Sequence, residues 1–280
     1  MPGKCCKFLS RVRKVKNEIS EIVAHDESYR NIINKFGYPR YQWGLITHHS
    51  EQGEGWDTHL AHCRQFILKA IDFYKPEKVT VLGSGWLLDV PVAEMLERNL
   101  KVTLIDIIHP PEVKKQLGGL KNVELIEKDA TGGLVKEVFE MCRKTSVFRK
   151  MHSLDDIIIP ELTLEGDPGL VVSLNLISQL DVLPIQYLRK KAKVPEEQFE
   201  KFRIAVQQKH IDFLLKHQSV MITDTTEVYT GDSGTTEDFQ WAVADLPESK
   251  HKEEWTWDFD LNKSGSYEKR SVLKVIALIL

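Results

Sequence analysis

Cysteine is scarce in this chain, with 4 in 280 residues. Cys5, Cys6, Cys63 and Cys142 form no CxxC pair and no zinc-like spacing, and a chain of this length needs no disulfide framework. That usage points to a reducing, cytoplasmic setting. An excess of charge of one sign is also missing. The formal net charge is -3, so no global field favours nucleic acid. No apolar run approaches the roughly 18 residues that a membrane span requires. The basic start, MPGKCCKFLSRVRKVK, lacks the apolar centre of a secretory signal. Internal repeats and low-complexity tracts are absent too. What is present is a hydrophobic fraction of 42%, enough to build a full core.

Residues 8–36 read as one or two amphipathic helices ending near Gly37-Tyr38-Pro39. The next stretch, QWGLITHHSEQGEGW, is rich in Gly and His and reads as irregular. Leu60, Cys63, Ile67, Ala70 and Tyr74 then recur at helical spacing, which predicts a helix over 57–74 with Asp57 as N-cap. Beyond Pro76 the pattern alternates. Apolar, β-branched runs at 79–84, 102–107, 122–129, 169–176 and 219–224 predict strands. Stretches 89–99, 133–143, 178–192 and 195–217 predict helices between them. Buried strands separated by helices imply a doubly wound parallel sheet. Near the end, WTWDFDL (255–261) and SVLKVIALIL (271–280) are joined by Asn-Lys-Ser-Gly-Ser, too short for a helix, so they predict an antiparallel hairpin. The expected fold is α/β and Rossmann-like, a mostly parallel seven-stranded sheet closed by that hairpin. Residues 1–55 form an N-terminal helical extension and candidate lid, and 56–280 the main domain.

The informative constellation is Gly83-Ser84-Gly85 at the end of the first predicted sheet strand. Glycines there let the backbone turn sharply and approach a ligand closely. A following helix would offer free N–H groups. The second strand ends in Asp106, 21 residues after Gly85, where an acid can accept both ribose hydroxyls of an adenosine cofactor. A dinucleotide fingerprint would want a third glycine at position 88, which is Leu88, and Trp86 crowds the place for a pyrophosphate. S-adenosylmethionine carries no phosphate and needs no third glycine.

Taken together, Gly83-Ser84-Gly85, Asp106, Asp129, the strand around Asn175 and the terminal hairpin resemble class I S-adenosylmethionine-dependent methyltransferases over roughly 56–280. The resemblance implies S-adenosyl-L-methionine as cofactor. It implies that Gly83, Ser84 and Gly85 flank the methionine part, that Asp106 holds the ribose, and that Asp129, with Ala130, faces the adenine amino group. Asn175 would sit beside the methyl donor. Two departures stand out: Leu87 replaces the third glycine of the common loop, and no Pro-Pro-Tyr follows Asn175. The second argues against amino methylation on DNA or protein. The function implied is a methyltransferase with a small-molecule acceptor. An NAD(P)-binding Rossmann oxidoreductase and a non-catalytic adenosyl-ligand-binding protein are the alternatives.

Methyl transfer depends mostly on positioning the acceptor, with a base where a proton must leave. The candidate catalytic residues are Asn175 and His59; Asn175 and Gln179 offer hydrogen bonds. His48, His49, His59 and His62 cluster before the first strand, but no partner shows zinc-like spacing and no metal is expected. His109 sits three residues after Asp106, within reach of adenosine. Asp224-Thr225-Thr226-Glu227 lies on the same rim. Tyr38, Tyr41, Trp43 and Trp56 would either cover the pocket or pack the extension. Acids and Trp241, Trp255 and Trp257 crowd 227–260, which disfavours a nucleic-acid groove there.

Overall fold

The structure, a computed structural model, describes residues 22–23, 26–144, 150–231, 234–263 and 269–280. The basic start of the chain with Cys5 and Cys6, most of the first predicted helical region, and Ser264 to Ser266 of the hairpin turn lie outside these residues.

A short strand β1 (Ile22–Val23) precedes α1 (Glu27–Phe36) and α2 (Tyr38–Gln52); a 3-10 turn over Gly53–Trp56 then leads into α3 (Asp57–Tyr74). The alternating part follows: β2 (Lys78–Leu82), α4 (Val92–Glu97), β3 (Lys101–Asp106), α5 (Pro111–Leu117), β4 (Val123–Glu127), α6 (Leu134–Lys144) and β5 (Leu170–Leu174). After it come α7 (Val182–Lys191), α8 (Glu196–Leu214), β6 (Ser219–Thr230), β7 (Thr236–Gln240), β8 (His251–Asp260) and β9 (Arg270–Ile279).

The strands form one sheet in the order β1-β4-β3-β2-β5-β6-β9-β8, with β7 paired to β6 outside that path. Pairings from β1 to β6 along this order are parallel, and β9 runs antiparallel to both β6 and β8. This is the expected doubly wound sheet with its closing hairpin, extended by β1 and β7. Burial follows from the residue types: all five residues of β5, Leu-Val-Val-Ser-Leu, are buried. Phe66 and Ile67 of α3 and Met95 of α4 pack on one face with Val79 and Val81. Ile211 and Leu214 of α8 pack on the other with Leu82 and Val171. Each such side chain taken from water stabilises the fold by about 1.5–3 kcal/mol.

Several local expectations are corrected. Residues 42–56 are not irregular: they lie in α2 and the 3-10 turn. Gly37 ends α1 at φ 90, its N–H donating to Ile33 and Asn34 carbonyls, and Pro39 then pre-sets the first turn of α2. Nothing in the periodicity of α2 announces it, because Gln52 is its one fully buried residue. Its far end is held instead by distant partners. Gln52 Nε2 donates to Asp260 Oδ1 at 3.1 Å, and Leu261 N–H donates to Gln52 Oε1 at 2.8 Å. Just beyond, the Trp56 indole donates to the Phe259 carbonyl at 2.9 Å. Asp57 is the first residue of α3 and not its cap, since the 3-10 turn runs directly into the helix through Trp56. The helix expected over 89–99 shrinks to Val92–Glu97, because Pro91 restricts its neighbour and Leu87 sits at φ 61. Pro110-Pro111 opens a helix, α5, instead of a loop. β6 continues six residues past the apolar run, its polar half pairing with β7 and β9 after a bulge at Asp224/Thr226.

β9 lies between β6 and β8, and its last five residues are buried. Removing residues 270–280 should therefore leave two edges of the sheet unpaired and abolish cooperative thermal unfolding. A truncated chain that still melts in one sharp transition would contradict the central place of β9.

Candidate functional site

The carboxyl ends of β2, β3 and β5 and the helices above them enclose a cleft with about 1170 Å³ of empty space, its mouth included. Gly83, Ser84, Gly85, Asp106, Asp129 and Asn175 all line it. So do Tyr38, Tyr41, Gln42, Trp56 and His59 from the N-terminal part. The fold thus brings these residues to one place, while His109, Asp224 and Glu227 do not line the cleft.

The two glycines have different reasons. A Cβ at Gly83 (φ 81) would stand 2.7 Å from the Leu174 carbonyl and from Leu176 Cγ, so close packing on the end of β5 excludes any side chain. At Gly85 (φ 44) a Cβ would meet nothing within 4 Å; here the left-handed backbone itself favours glycine, and the cleft lies open beside it. No helix N-terminus follows, contrary to expectation. Residues 83–91 form an irregular loop, and α4 begins only at Val92.

Asp106 ends β3 and is partly buried. Gly85 N–H donates to its Oδ2 at 2.8 Å, and Gln42 Nε2 donates to its Oδ1 at 2.9 Å. Burial raises its pKa above the ordinary carboxylate value, while His109 and the surrounding N–H groups pull the other way. Gln42 is anchored in turn: its carbonyl accepts from the Trp86 indole at 2.9 Å, and its Nε2 also reaches the Ile108 carbonyl at 2.8 Å.

Asp129 is engaged on both oxygens. Oδ1 accepts from Thr131 N–H at 2.9 Å and from the Thr131 hydroxyl; Oδ2 accepts from Val135 N–H at 3.1 Å and from the Tyr29 hydroxyl at 3.0 Å. It therefore caps the start of α6 and ties α1 to it. Four donors fill the sites of a carboxylate, and the Tyr29 hydroxyl is the one a ligand could replace without uncapping the helix.

Asn175 follows β5 in a left-handed conformation, φ 50, which costs free energy and is tolerated where surroundings dictate it. Its N–H donates to the Ile222 carbonyl at 2.8 Å, and its Nδ2 donates to Asp89 Oδ2 at 2.9 Å. Asn175 Oδ1 and Ser84 Oγ are buried without a hydrogen-bond partner, and both residues line the cleft. Among the described residues no group pairs with either atom, and a buried polar atom left so costs free energy. Asp89 was not evident as a site residue in the sequence, which reads it as the start of a helix. Burial raises its pKa to about 6, against the pull of its own N–H, Arg64 and Asn175.

His59 is a wall of the cleft. Its ring stacks on Trp257 at 3.8 Å with an interplanar angle of 4°. Its Nδ1 accepts from the Trp255 indole at 3.1 Å, so the proton of a neutral ring sits on Nε2, which lies 3.5 Å from Cys63 Sγ. Burial first, and then His62, lower its pKa to about 3. His59, Cys63 and Asp89 lie within 4.8 Å of one another through their ligating atoms. The Trp255 indole occupies His59 Nδ1, which leaves Nε2, on the Cys63 side, as the one ring nitrogen of this group open to other contacts. His109 turns away from the cleft and into the sheet, with Nε2 3.2 Å from the Ile126 carbonyl. Trp43 is 60% exposed, its ring 5.7 Å from that of Trp86 and tilted by 54°.

The strand order, with an antiparallel strand inserted next to the last parallel one, is a Rossmann-like doubly wound arrangement. No family model matches the sequence, and no curated protein does. Among solved structures, the chain is similar to the Burkholderia thailandensis 1,6-didemethyltoxoflavin-N1-methyltransferase with bound 1,6-didemethyltoxoflavin and S-adenosylhomocysteine. The identity is 10%, the match covers 93% of each chain, and the TM-score is 0.35. It is also similar to the plantazolicin methyltransferase BpumL in complex with S-adenosylhomocysteine, at 10% identity over 90% of this chain and 95% of that one, with a TM-score of 0.31. Likeness of this degree assigns no activity to the chain. No described helix is long and apolar enough to cross a membrane.

Two outcomes follow from these environments. A histidine with a pKa near 3 does not titrate under ordinary conditions, so the His59 ring signals in a two-dimensional NMR titration should stay fixed between about pH 5 and pH 8. A midpoint near 6.5 would place the ring in water. For Asp89 the sign runs the other way from a salt-bridged acid. With the folded pKa raised to about 6, the group favours folding at low pH, and that contribution is lost as pH rises through 6. Asp89→Asn keeps an acceptor for Asn175 and removes the buried charge. Its melting temperature should exceed that of the parent by more at about pH 7.5 than at about pH 5.

Proposed function

We propose that this chain is an S-adenosylmethionine-dependent methyltransferase acting on a small-molecule acceptor. The observation that carries the proposal is the glycine turn with Asp106 opposite it and no helix N-terminus behind it. A dinucleotide would set its pyrophosphate on such an N-terminus. Here the loop runs on to Pro91, and Trp86 stands beside the turn, bonded to Gln42. An adenosyl group linked to an amino acid has a ribose to offer Asp106 and no phosphate to place.

The residues present fit that group. Asp106 would hold the ribose hydroxyls, with Oδ1 released by Gln42 or shared with it. Ala130 and Thr131 would line the adenine, with Asp129 reached by displacing the Tyr29 hydroxyl. Gly83, Ser84 and Gly85 would flank the amino-acid end, where the Ser84 hydroxyl lacks a partner. When bound, the cofactor supplies a methyl group activated by its sulfonium. The chain's own contribution is to bind, orient and keep water out. Asn175, fixed by Asp89, lines the cleft and would orient the acceptor beside the methyl donor. His59 serves as a neutral aromatic wall in this arrangement. Of the N-terminal extension expected over 1–55, the described helix α2 would act as a cover on the cleft, since its Tyr38, Tyr41 and Gln42 line it. A cytoplasmic setting belongs to this reading and is supported by Cys63 and Cys142, both buried as free thiols.

Thermal shift with S-adenosylmethionine, S-adenosylhomocysteine, NAD and NADP separates the rivals. A ligand at 100 times its dissociation constant stabilises by about 2.7 kcal/mol. The adenosyl ligands should raise the melting temperature and the dinucleotides should not. Asp106→Ala should weaken S-adenosylhomocysteine binding by about 1.5–3 kcal/mol in calorimetry, the scale of hydrogen bonds to a charged group. Equal affinity in parent and variant would remove Asp106 from the site.

A further inference from the structure

A second, wider cavity adjoins the cofactor cleft, with about 2090 Å³ of empty space counting its mouth. The two share Tyr41, Leu45, Gln179, Leu183 and Trp257 as a common wall. A molecule in the second cavity thus lies against one in the first. Its lining includes Asp224 and Glu227, which are 6% and 5% exposed, both from β6 where the strand leaves the parallel sheet.

These carboxylates sit among neutral donors and aromatic rings. Asp224 Oδ1 accepts from the Ser178 hydroxyl at 2.7 Å, the one side-chain donor to it among the described residues. Glu227 Oε2 accepts from the Tyr229 hydroxyl at 2.7 Å and the Trp241 indole at 3.0 Å. Burial, and then the charge of Glu227, raise the pKa of Asp224 to about 6. Burial and the same two acids push Tyr41 up to about 12, so all three groups face one space. The cations of the cavity are placed differently. Lys35, Arg40 and Lys190 are exposed, and the half-buried Lys269 reaches out to Glu237 at 2.7 Å.

An inner surface of buried carboxylate and aromatic face suits one ligand chemistry. A buried carboxylate whose one side-chain donor is a neutral hydroxyl is costly, and an organic cation offsets that cost. The faces of Trp and Tyr attract the same charge. We propose that this cavity binds a small organic amine as a cation, its ammonium at Asp224 and Glu227 and its apolar body against Trp241 and Trp257. That this amine is the methyl acceptor rests on the methyltransferase reading; that the cavity selects a cation does not.

The test uses the full chain and calorimetry. Tryptamine, tyramine and phenethylamine are each set against the carboxylic acid of the same ring, with and without S-adenosylhomocysteine. Each amine is expected to bind at least about tenfold more tightly than its acid. Asp224→Asn and Glu227→Gln should each weaken amine binding by about tenfold or more, while S-adenosylhomocysteine affinity shows the variants to be folded. Acids that bind as well as amines, no binding by any amine, or amine binding unchanged in both variants would overturn the cation site. Charge-selective amine binding by a chain that ignores S-adenosylhomocysteine would uphold the site and overturn the methyltransferase reading.

Discussion

The carboxylate of Asp106 is the constraint on which the cleft depends. It ends β3, and its two oxygens take the N–H of Gly85 from the turn after β2 and the amide of Gln42 from α2. One charged group thus holds together a strand end, a glycine turn and a covering helix. Partial desolvation raises its pKa, and the donors around it offset that cost. The contact with Gln42 also joins cover to floor. Because α2 is fastened at its other end by Gln52 on Asp260, and the adjoining turn by Trp56 on the Phe259 carbonyl, Gln42 can give up Asp106 without the helix leaving its place.

The rest of the site follows a common pattern of strain and support. Asn175 is held left-handed at the end of β5 and braced by Asp89; Gly83 is pressed against the Leu174 carbonyl. These positions give up local stability to bring polar groups to one rim. Across the shared wall the character changes. The cleft has hydrogen-bonding groups spaced around an apolar floor. The neighbouring cavity has buried acids among aromatic rings, and Trp257 belongs to both because His59 stacks on it from α3. The cleft and the neighbouring cavity are therefore separate surfaces joined by a few side chains.

Much of this was legible in sequence because it is local. The runs Val-Thr-Val-Leu and Leu-Val-Val-Ser-Leu are β-branched or apolar throughout, and burial on both faces of a parallel sheet demands that. The gap between the last two strands is too short for a helix, so antiparallel pairing was the remaining choice. Gly83 and Asp106 stand where such a sheet ends its strands, which is why their meeting could be expected from spacing. By contrast α2, with one buried residue, carries no apolar stripe. Gln42 and Asp89 had no local signal at all; each matters through a partner 64 or 86 residues away. Asp129 was legible as an acid just past the end of β4, but its engagement by Thr131, Val135 and Tyr29 was not.

The sequence by itself determined the strands, the alternation that makes the sheet parallel, the glycine turn and the acid across from it. Periodicity and backbone freedom are properties of neighbours along the chain, so neighbours suffice to read them. Tertiary structure alone decided what those groups face. It put Gln42 on Asp106, turned His109 into the sheet, made His59 a neutral wall against Trp257, and set Asp224 and Glu227 beside the cleft. Burial and charge at a site come from segments brought together over the whole chain, and that sum exists only once the sheet has closed.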